Sequence, residues 1–127
     1  MKAADLVGIW DSPDNSRLTS KQVSFRLPVH VAAKISALCD MYPTKTRTQI
    51  VGDLLASALA DVEKALPCMK GPSLGGHRDE TGKELFEAVG PVVTFRDRTN
   101  HHFITLEIEN GVENPKPFFD AALIWED

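Results

Sequence analysis

Cysteine is scarce in this sequence, and neither of the two that occur belongs to a recognisable motif. Cys39 and Cys68 lack CxxC spacing, and one pair is too few for the disulfide framework of a small secreted protein. Both are interpreted as plain thiols. The sequence also has no apolar run long enough to cross a bilayer and no basic-then-apolar signal segment at Met1. We therefore expect a cytoplasmic protein without a membrane partner.

The sequence also lacks the overall positive charge that phosphates favour in a partner. Its formal net charge is -4, but the charges are unevenly divided. Residues 20–50 carry five basic residues against one acid, a balance of +4, whereas residues 75–127 carry five against eleven, a balance of -6. This asymmetry suggests that the two halves have separate functions, so the net charge alone does not exclude nucleic acid.

A length of 127 residues allows one domain, or a small module with a second small piece. Residues 1–19 are polar apart from a short apolar island, which predicts a flexible N-terminal arm. Residues 68–82 are rich in glycine and polar side chains, which predicts a linker. The expected organisation is the arm, a first domain at residues 20–67, the linker, and a small acidic module at residues 83–127.

The first domain begins with KQVSFRLP at residues 21–28, where polar and apolar side chains alternate. A period of two predicts a short strand with two different faces. The polar face carries Gln22, Ser24 and Arg26, and the apolar face carries Val23, Phe25 and Leu27. Pro28 ends the strand and can be the first residue of a helix, because its missing N–H is no loss there.

Two helices are predicted after this strand. Apolar residues recur at steps of four, three and four from Val31 to Tyr42, which is the stripe of an amphipathic helix over residues 29–41. Thr46 and Gln49 form a T-x-x-Q capping box that opens a second helix, and Pro67 ends it.

One strand and two helices bury too little apolar surface to be stable alone, so something must complete this domain. A second copy would do so if the two strands paired antiparallel about a two-fold axis. The expected core of such a dimer consists of Val23, Phe25, Leu27, Ile35, Leu38, Ile50 and Leu54.

This order of strand, proline, amphipathic helix, turn and capped helix resembles the ribbon-helix-helix DNA-binding family of the Arc and Met repressors. QVSFRLP is similar to the strand motif of the family, and TRTQIV at residues 46–51 is similar to the start of its second helix. The resemblance covers about residues 20–66. It departs from the family in the turn at residues 41–45, MYPTK, where many members carry a glycine.

The resemblance implies a homodimeric, sequence-specific DNA-binding protein, a transcriptional regulator such as a repressor, that reads the major groove with an intersubunit β-ribbon. It implies that base edges are contacted by Gln22, Ser24 and Arg26. It implies that DNA phosphates are contacted by Lys45, Thr46, Arg47 and Thr48. A higher assembly on DNA is also compatible with it. Without the resemblance, the polar face would be read as the solvated side of an ordinary strand.

Residues 83–127 are expected to form a β-rich module, which gives an α+β protein overall. Residues 91–95 and 101–109 are interpreted as two strands joined by a five-residue loop. Asn110-Gly111 marks a further turn, and residues 118–127 are either a third strand or a short helix. Residues 84–89 form a segment short enough to be either a strand or a helix. Phe118, Phe119 and Trp125 either pack inside this module or form a surface for a protein partner.

Other functions remain open at this point. The dimer scaffold suits a protein-interaction module, such as an antitoxin that masks a toxin or an inhibitor of a host protein. It also suits an accessory DNA-binding factor at a plasmid transfer or partition site. His77, His101 and His102 lack the regular spacing of a zinc site, and no catalytic signature surrounds Cys68. We therefore expect no enzyme activity, no catalytic residues, no metal and no cofactor.

Overall fold

The computed structural model describes residues 17–78, 80 and 82–125. The chain divides into two compact units, Met1–Val62 and Glu63–Asp127. The described residues contain three helices and one three-stranded antiparallel sheet, which confirms the expected α+β class. Most of the predicted arm at residues 1–19 lies outside the described residues. None of the described helices combines the length and the apolar character needed to span a membrane.

Helix α1, Val29–Met41, has the bounds that the sequence predicts. Pro28 precedes it with an extended ψ of 145°, and the Pro28 carbonyl accepts the N–H groups of Val31 and Ala32, both at 3.0 Å. Because proline has a fixed φ and no N–H to satisfy, it starts the helix without losing a hydrogen bond. At the other end, the Tyr42 N–H donates to the Leu38 carbonyl at 3.0 Å before Pro43 stops the helix.

Helix α2, Arg47–Ala65, begins at the predicted capping box. Gln49 N–H donates to Thr46 Oγ1 at 3.1 Å, and Thr46 N–H donates to Gln49 Oε1 at 2.9 Å. The two bonds are reciprocal, so two N–H groups that no helical carbonyl can reach are satisfied. The helix ends two residues before Pro67, as predicted.

The N-terminal unit has a very small core. Ile50 is fully buried, and the partly buried residues around it are Leu38, Cys39, Tyr42 and Leu54. Burying one isoleucine contributes about 1.5–3 kcal/mol. A helix pair with one fully buried large apolar side chain has little else to offset the entropy of folding.

Residues 20–28 join neither a helix nor the sheet, and each of them is exposed. The strand predicted at residues 21–27 is expected to form only by pairing with a second copy. In the single chain it therefore remains a prediction.

The C-terminal unit contains the sheet, in the order β1-β2-β3. Strand β1 is Met69–Arg78, β2 is Glu84–Val89 and β3 is Ile124–Trp125. Met69 pairs with Val89 and Phe86 pairs with Trp125, while the ladder between β1 and β2 is interrupted by two irregularities. Gly71 allows the close approach of these two strands, because an added Cβ would lie 2.6 Å from the Glu87 carbonyl oxygen.

Helix α3, Pro91–Glu109, follows β2 directly. Gly90 makes the turn between them at φ 105°, and Pro91 occupies the first turn of the helix. The helix ends at Asn110-Gly111, where Gly111 has φ 87° and donates its N–H to the Ile108 carbonyl at 2.9 Å. The turn predicted at Asn110-Gly111 is therefore confirmed.

Two expectations for this part of the chain are wrong. Residues 91–95, 96–100 and 101–109 are one continuous helix, where two strands and a loop were expected. The segment expected to be a linker, residues 68–82, contains strand β1. Valine, threonine, isoleucine and phenylalanine favour strands locally, but pairing and packing with distant residues decide between strand and helix. The C-terminal part therefore combines a sheet with a long helix, and β-rich does not describe it.

Two glycine-to-alanine substitutions test the close approach of β1 to β2. Gly71→Ala is expected to lower the free energy of unfolding by about 1–3 kcal/mol, because its methyl group meets the Glu87 carbonyl and Val89. Gly52→Ala, inside α2 with nothing within 4 Å, is expected to raise it by about 0.5–1 kcal/mol. Urea unfolding followed by circular dichroism measures both. A Gly71→Ala protein as stable as wild type would contradict the close contact.

Candidate functional site

The alternating segment presents both of its faces to solvent in the single chain. On the apolar face, Val23, Phe25 and Leu27 are 63%, 76% and 48% exposed. Three large apolar side chains at a spacing of two residues are not placed at random, and water opposes their exposure by about 25 cal/mol for each Å² of apolar surface. This face has the composition of a buried surface and has no cover within the described chain.

The polar residues of the same segment are Gln22, Ser24 and Arg26, and all three are exposed. Their side chains offer an amide, a hydroxyl and a guanidinium, which together donate and accept hydrogen bonds. These are the side-chain types that recognise base edges in the major groove. All three predicted contact residues are therefore accessible.

The start of α2 is the second element of the candidate site. Thr46, Arg47 and Thr48 are exposed there, at the end of the helix where N–H groups and the positive end of the helix dipole face outward. The capping box uses the N–H groups of Thr46 and Gln49. The backbone at Arg47 and Thr48, with the Arg47 side chain, has the chemistry that binds phosphate at helix N-termini.

Arg47 is held by a contact that the sequence does not reveal. Its Nη1 donates to Ser36 Oγ on α1 at 3.3 Å, a link between residues eleven positions apart. A guanidinium has five N–H donors, so one bond to Ser36 leaves others for an anion. Lys45 lies in the turn before α2, where its N–H donates to the Tyr42 carbonyl at 3.1 Å, and the residue is half-buried.

The residues predicted for the dimer core separate into two groups. Leu38, Ile50 and Leu54 come together between α1 and α2, and Ile35 is half-buried on α1. The strand residues Val23, Phe25 and Leu27 are not covered. Cys39 and Tyr42 were absent from the predicted core, although Tyr42 lies on the apolar stripe of α1.

A further set of apolar residues on α2 is exposed at helical spacing. Leu55, Leu59 and Val62 recur at steps of four and three, and each is about half exposed. Because successive residues of a helix are rotated by 100°, these three side chains lie on a different side of α2 from Ile50 and Leu54. The N-terminal unit therefore has more apolar surface than its own two helices can cover.

No metal site emerges from the part of the chain that the structure describes. Within it, no group of three or more histidine, cysteine, aspartate or glutamate residues is placed to hold a metal ion. A cavity of about 270 Å³ in the C-terminal unit is lined by α3, β2 and residues 119–123, without serine, cysteine or histidine among the lining residues. Asn100 binds both the N–H and the carbonyl of Phe119 there, at 2.8 and 3.0 Å, which is a structural role.

Comparison with known proteins adds no relative. The sequence matches no protein-family model, and neither a curated protein nor a solved structure is significantly similar to it. The resemblance to ribbon-helix-helix proteins therefore depends on the residues themselves: the alternating segment, Pro28 and the capped start of α2.

Removing the hydroxyl of Thr46 tests the capped start of α2. Thr46→Ala is expected to lower the free energy of unfolding by about 1 kcal/mol, because the Gln49 N–H loses its acceptor. Thermal unfolding followed by circular dichroism measures the change. Thr44→Ala, also an exposed threonine just before the helix, is the matched control and should leave stability unchanged. Equal stability of the two variants would show that the capping box contributes nothing.

Proposed function

We propose that the protein is a homodimeric, sequence-specific DNA-binding protein that regulates transcription. Two copies pair their residues 21–27 into an antiparallel β-ribbon, and the ribbon enters the major groove. The observation that supports this most directly is the exposed apolar face of Val23, Phe25 and Leu27, which lies directly before α1 and a capped α2.

Pairing of the two strands in the ribbon would cover the apolar face of each copy. When two strands pair about a two-fold axis, their six apolar side chains lie on one side, against the helices of both copies. Completing the burial of each side chain contributes on the order of 1–2 kcal/mol, given that roughly half or more of each is exposed in the single chain. The free energy gained by burying these six side chains offsets part of the entropy lost on association.

The opposite side of the ribbon reads the bases. Because side chains alternate along a strand, burying Val23, Phe25 and Leu27 forces the polar residues to the other side. Arg26 donates two hydrogen bonds to guanine O6 and N7, Gln22 pairs with adenine, and Ser24 is permissive. Two copies present these residues twice, so the preferred site contains two related half-sites.

The start of α2 fixes the position of the ribbon on DNA. Phosphate contacts set register and orientation, whereas base contacts carry sequence information. The exposed N-terminus at Thr46, Arg47 and Thr48 supplies N–H groups and a positive charge, and the bond to Ser36 limits where the Arg47 side chain can go.

Selection from a random pool of DNA duplexes tests base reading. Wild type is expected to enrich a palindromic or tandem motif, and Arg26→Ala is expected to lose preference at one guanine in each half-site, where discrimination is worth about 1–3 kcal/mol. Lys34→Ala removes an exposed lysine from α1 and is the matched control, which should recover the wild-type motif. No enrichment at low salt, with the dimer intact, would overturn the proposal.

The dependence of binding on salt tests the phosphate contact separately. Arg47→Ala is expected to weaken binding to specific and nonspecific DNA alike, and to reduce the slope of log K against log salt by about 1 for each subunit. Arg26→Ala is expected to weaken the specific site much more than nonspecific DNA. Fluorescence anisotropy between low and physiological salt measures both slopes. An unchanged slope for Arg47→Ala would remove this residue from the phosphate contacts.

The acidic balance of -6 over residues 75–127 favours a second candidate, a protein-interaction module on the same dimer scaffold. In this case the ribbon or the acidic half binds a protein, as in an antitoxin or an inhibitor. An intact dimer that enriches no DNA sequence is the result expected for it.

A further inference from the structure

A shallow groove runs along one side of α3 in the C-terminal unit. Its volume is about 420 Å³, and all of its lining residues belong to α3 itself: Phe95, Arg98, Thr99, His102, Phe103 and Leu106. A groove between the side chains of one helix is the type of surface into which the side chains of another helix pack.

The spacing of the lining residues supports a helix as the occupant. Phe95, Thr99, His102 and Leu106 follow each other at steps of four, three and four, the repeat of a helix-pairing seam. The side of α3 that packs within its own unit is different. That side carries the buried Glu107 and also Asn100, whose side chain binds the backbone of Phe119. At 100° of rotation per residue, it lies about a third of a turn from the groove.

The groove continues into exposed apolar surface. Leu106 is 40% exposed, and Phe118, at 61% exposed, has its ring 5.5 Å from the ring of Phe103. Aromatic and leucine side chains in this arrangement are typical of the centre of an interface.

The charges along α3 identify the occupant. Beside the groove, the exposed Arg98 lies in the first half of the helix and the exposed Glu109 in its last turn, on the same side of α3, whereas Arg96 and Glu107 face their own unit. When two copies of α3 lie antiparallel, Arg98 of each copy lies on the same side of the pair as Glu109 of the other, so opposite charges attract, and the antiparallel helix dipoles also attract. The other exposed apolar stripe, on α2, is accompanied by Asp53, Asp61 and Glu63 against one Lys64, so only one half of α3 would attract it.

We propose that the groove of α3 is filled by α3 of a second copy, in an antiparallel helix pair with two-fold symmetry. Phe95 of one copy packs near Leu106 of the other, and Thr99 lies near His102. This pairing is separate from the β-ribbon and does not depend on DNA binding. The chain then has two self-association surfaces, one in each unit.

Comparison of four proteins distinguishes the two self-association surfaces: wild type, Phe25→Glu, Leu106→Glu and the double variant. Size-exclusion chromatography with light scattering over a dilution series measures their masses against the 14.0 kDa chain. Phe25→Glu is expected to remain at least dimeric through α3, and the double variant is expected to be a monomer. Ile108→Glu is the matched control, because Ile108 is exposed on the same helix but outside the groove.

The masses and dissociation constants of these variants distinguish the α3 pairing from the ribbon dimer. In the Phe25→Glu protein, adding Leu106→Glu should raise the dissociation constant at least about tenfold, and adding Ile108→Glu should leave it unchanged. Equal masses with and without Leu106→Glu would overturn the α3 pairing. Equal masses with and without Phe25→Glu, in the Leu106→Glu background, would instead overturn the ribbon dimer and leave the α3 pairing standing.

Charge reversal tests the antiparallel orientation. Arg98→Glu and Glu109→Arg, each alone, should weaken self-association about twofold to fivefold, as expected for exposed ion pairs. An equimolar mixture of the two variants should recover wild-type association, because each now supplies the charge that the other lacks. In a parallel pair, each residue faces the same residue of the other copy, so neither charge reversal would weaken association. That result would overturn the antiparallel arrangement.

Discussion

The N-terminal unit depends on apolar side chains that the described part of its own chain does not cover. Ile50 is its one fully buried large hydrophobic residue among those described, while Val23, Phe25 and Leu27 stand in solvent. A helix pair of this size gains too little from burial to offset the loss of chain entropy. The proposed second copy would supply this cover, and it would leave the polar side of the segment free for the proposed DNA contact.

Sequence reasoning succeeded where hydrogen bonds are local. The bounds of α1 and the start of α2 follow from Pro28 and from Thr46 with Gln49, and each of these acts within four residues of itself. A capping box has one structural outcome in most contexts, so two residue types at the right spacing predict it. The Ser36 to Arg47 bond has no such signal, because it depends on how two helices cross.

Sequence reasoning failed where distant residues decide the structure. Ile104, Leu106 and Ile108 alternate as in a strand, yet on α3 Ile104 and Ile108 lie one turn apart on one side and Leu106 lies on the opposite side. Gly90-Pro91 is a signal for a helix start that the prediction did not use, and the β-branched residues that follow it favour a strand locally. Strand β1 was missed because its glycines suggest a linker, whereas Gly71 serves close contact with Glu87, which lies sixteen residues further along the chain.

The acidic half of the chain does not by itself exclude the DNA contact that we propose for the basic half. At physiological ionic strength, charges more than about 8 Å apart in water are largely screened from each other. Phosphates therefore respond to charges at the contact, and the residues expected there, Arg26, Lys45 and Arg47, are all basic. The acids of residues 75–127 contribute to the summed field that governs how fast the protein would approach DNA. If the protein binds DNA as we propose, this charge division should slow its association with DNA, because a negative net charge opposes the approach of a polyanion.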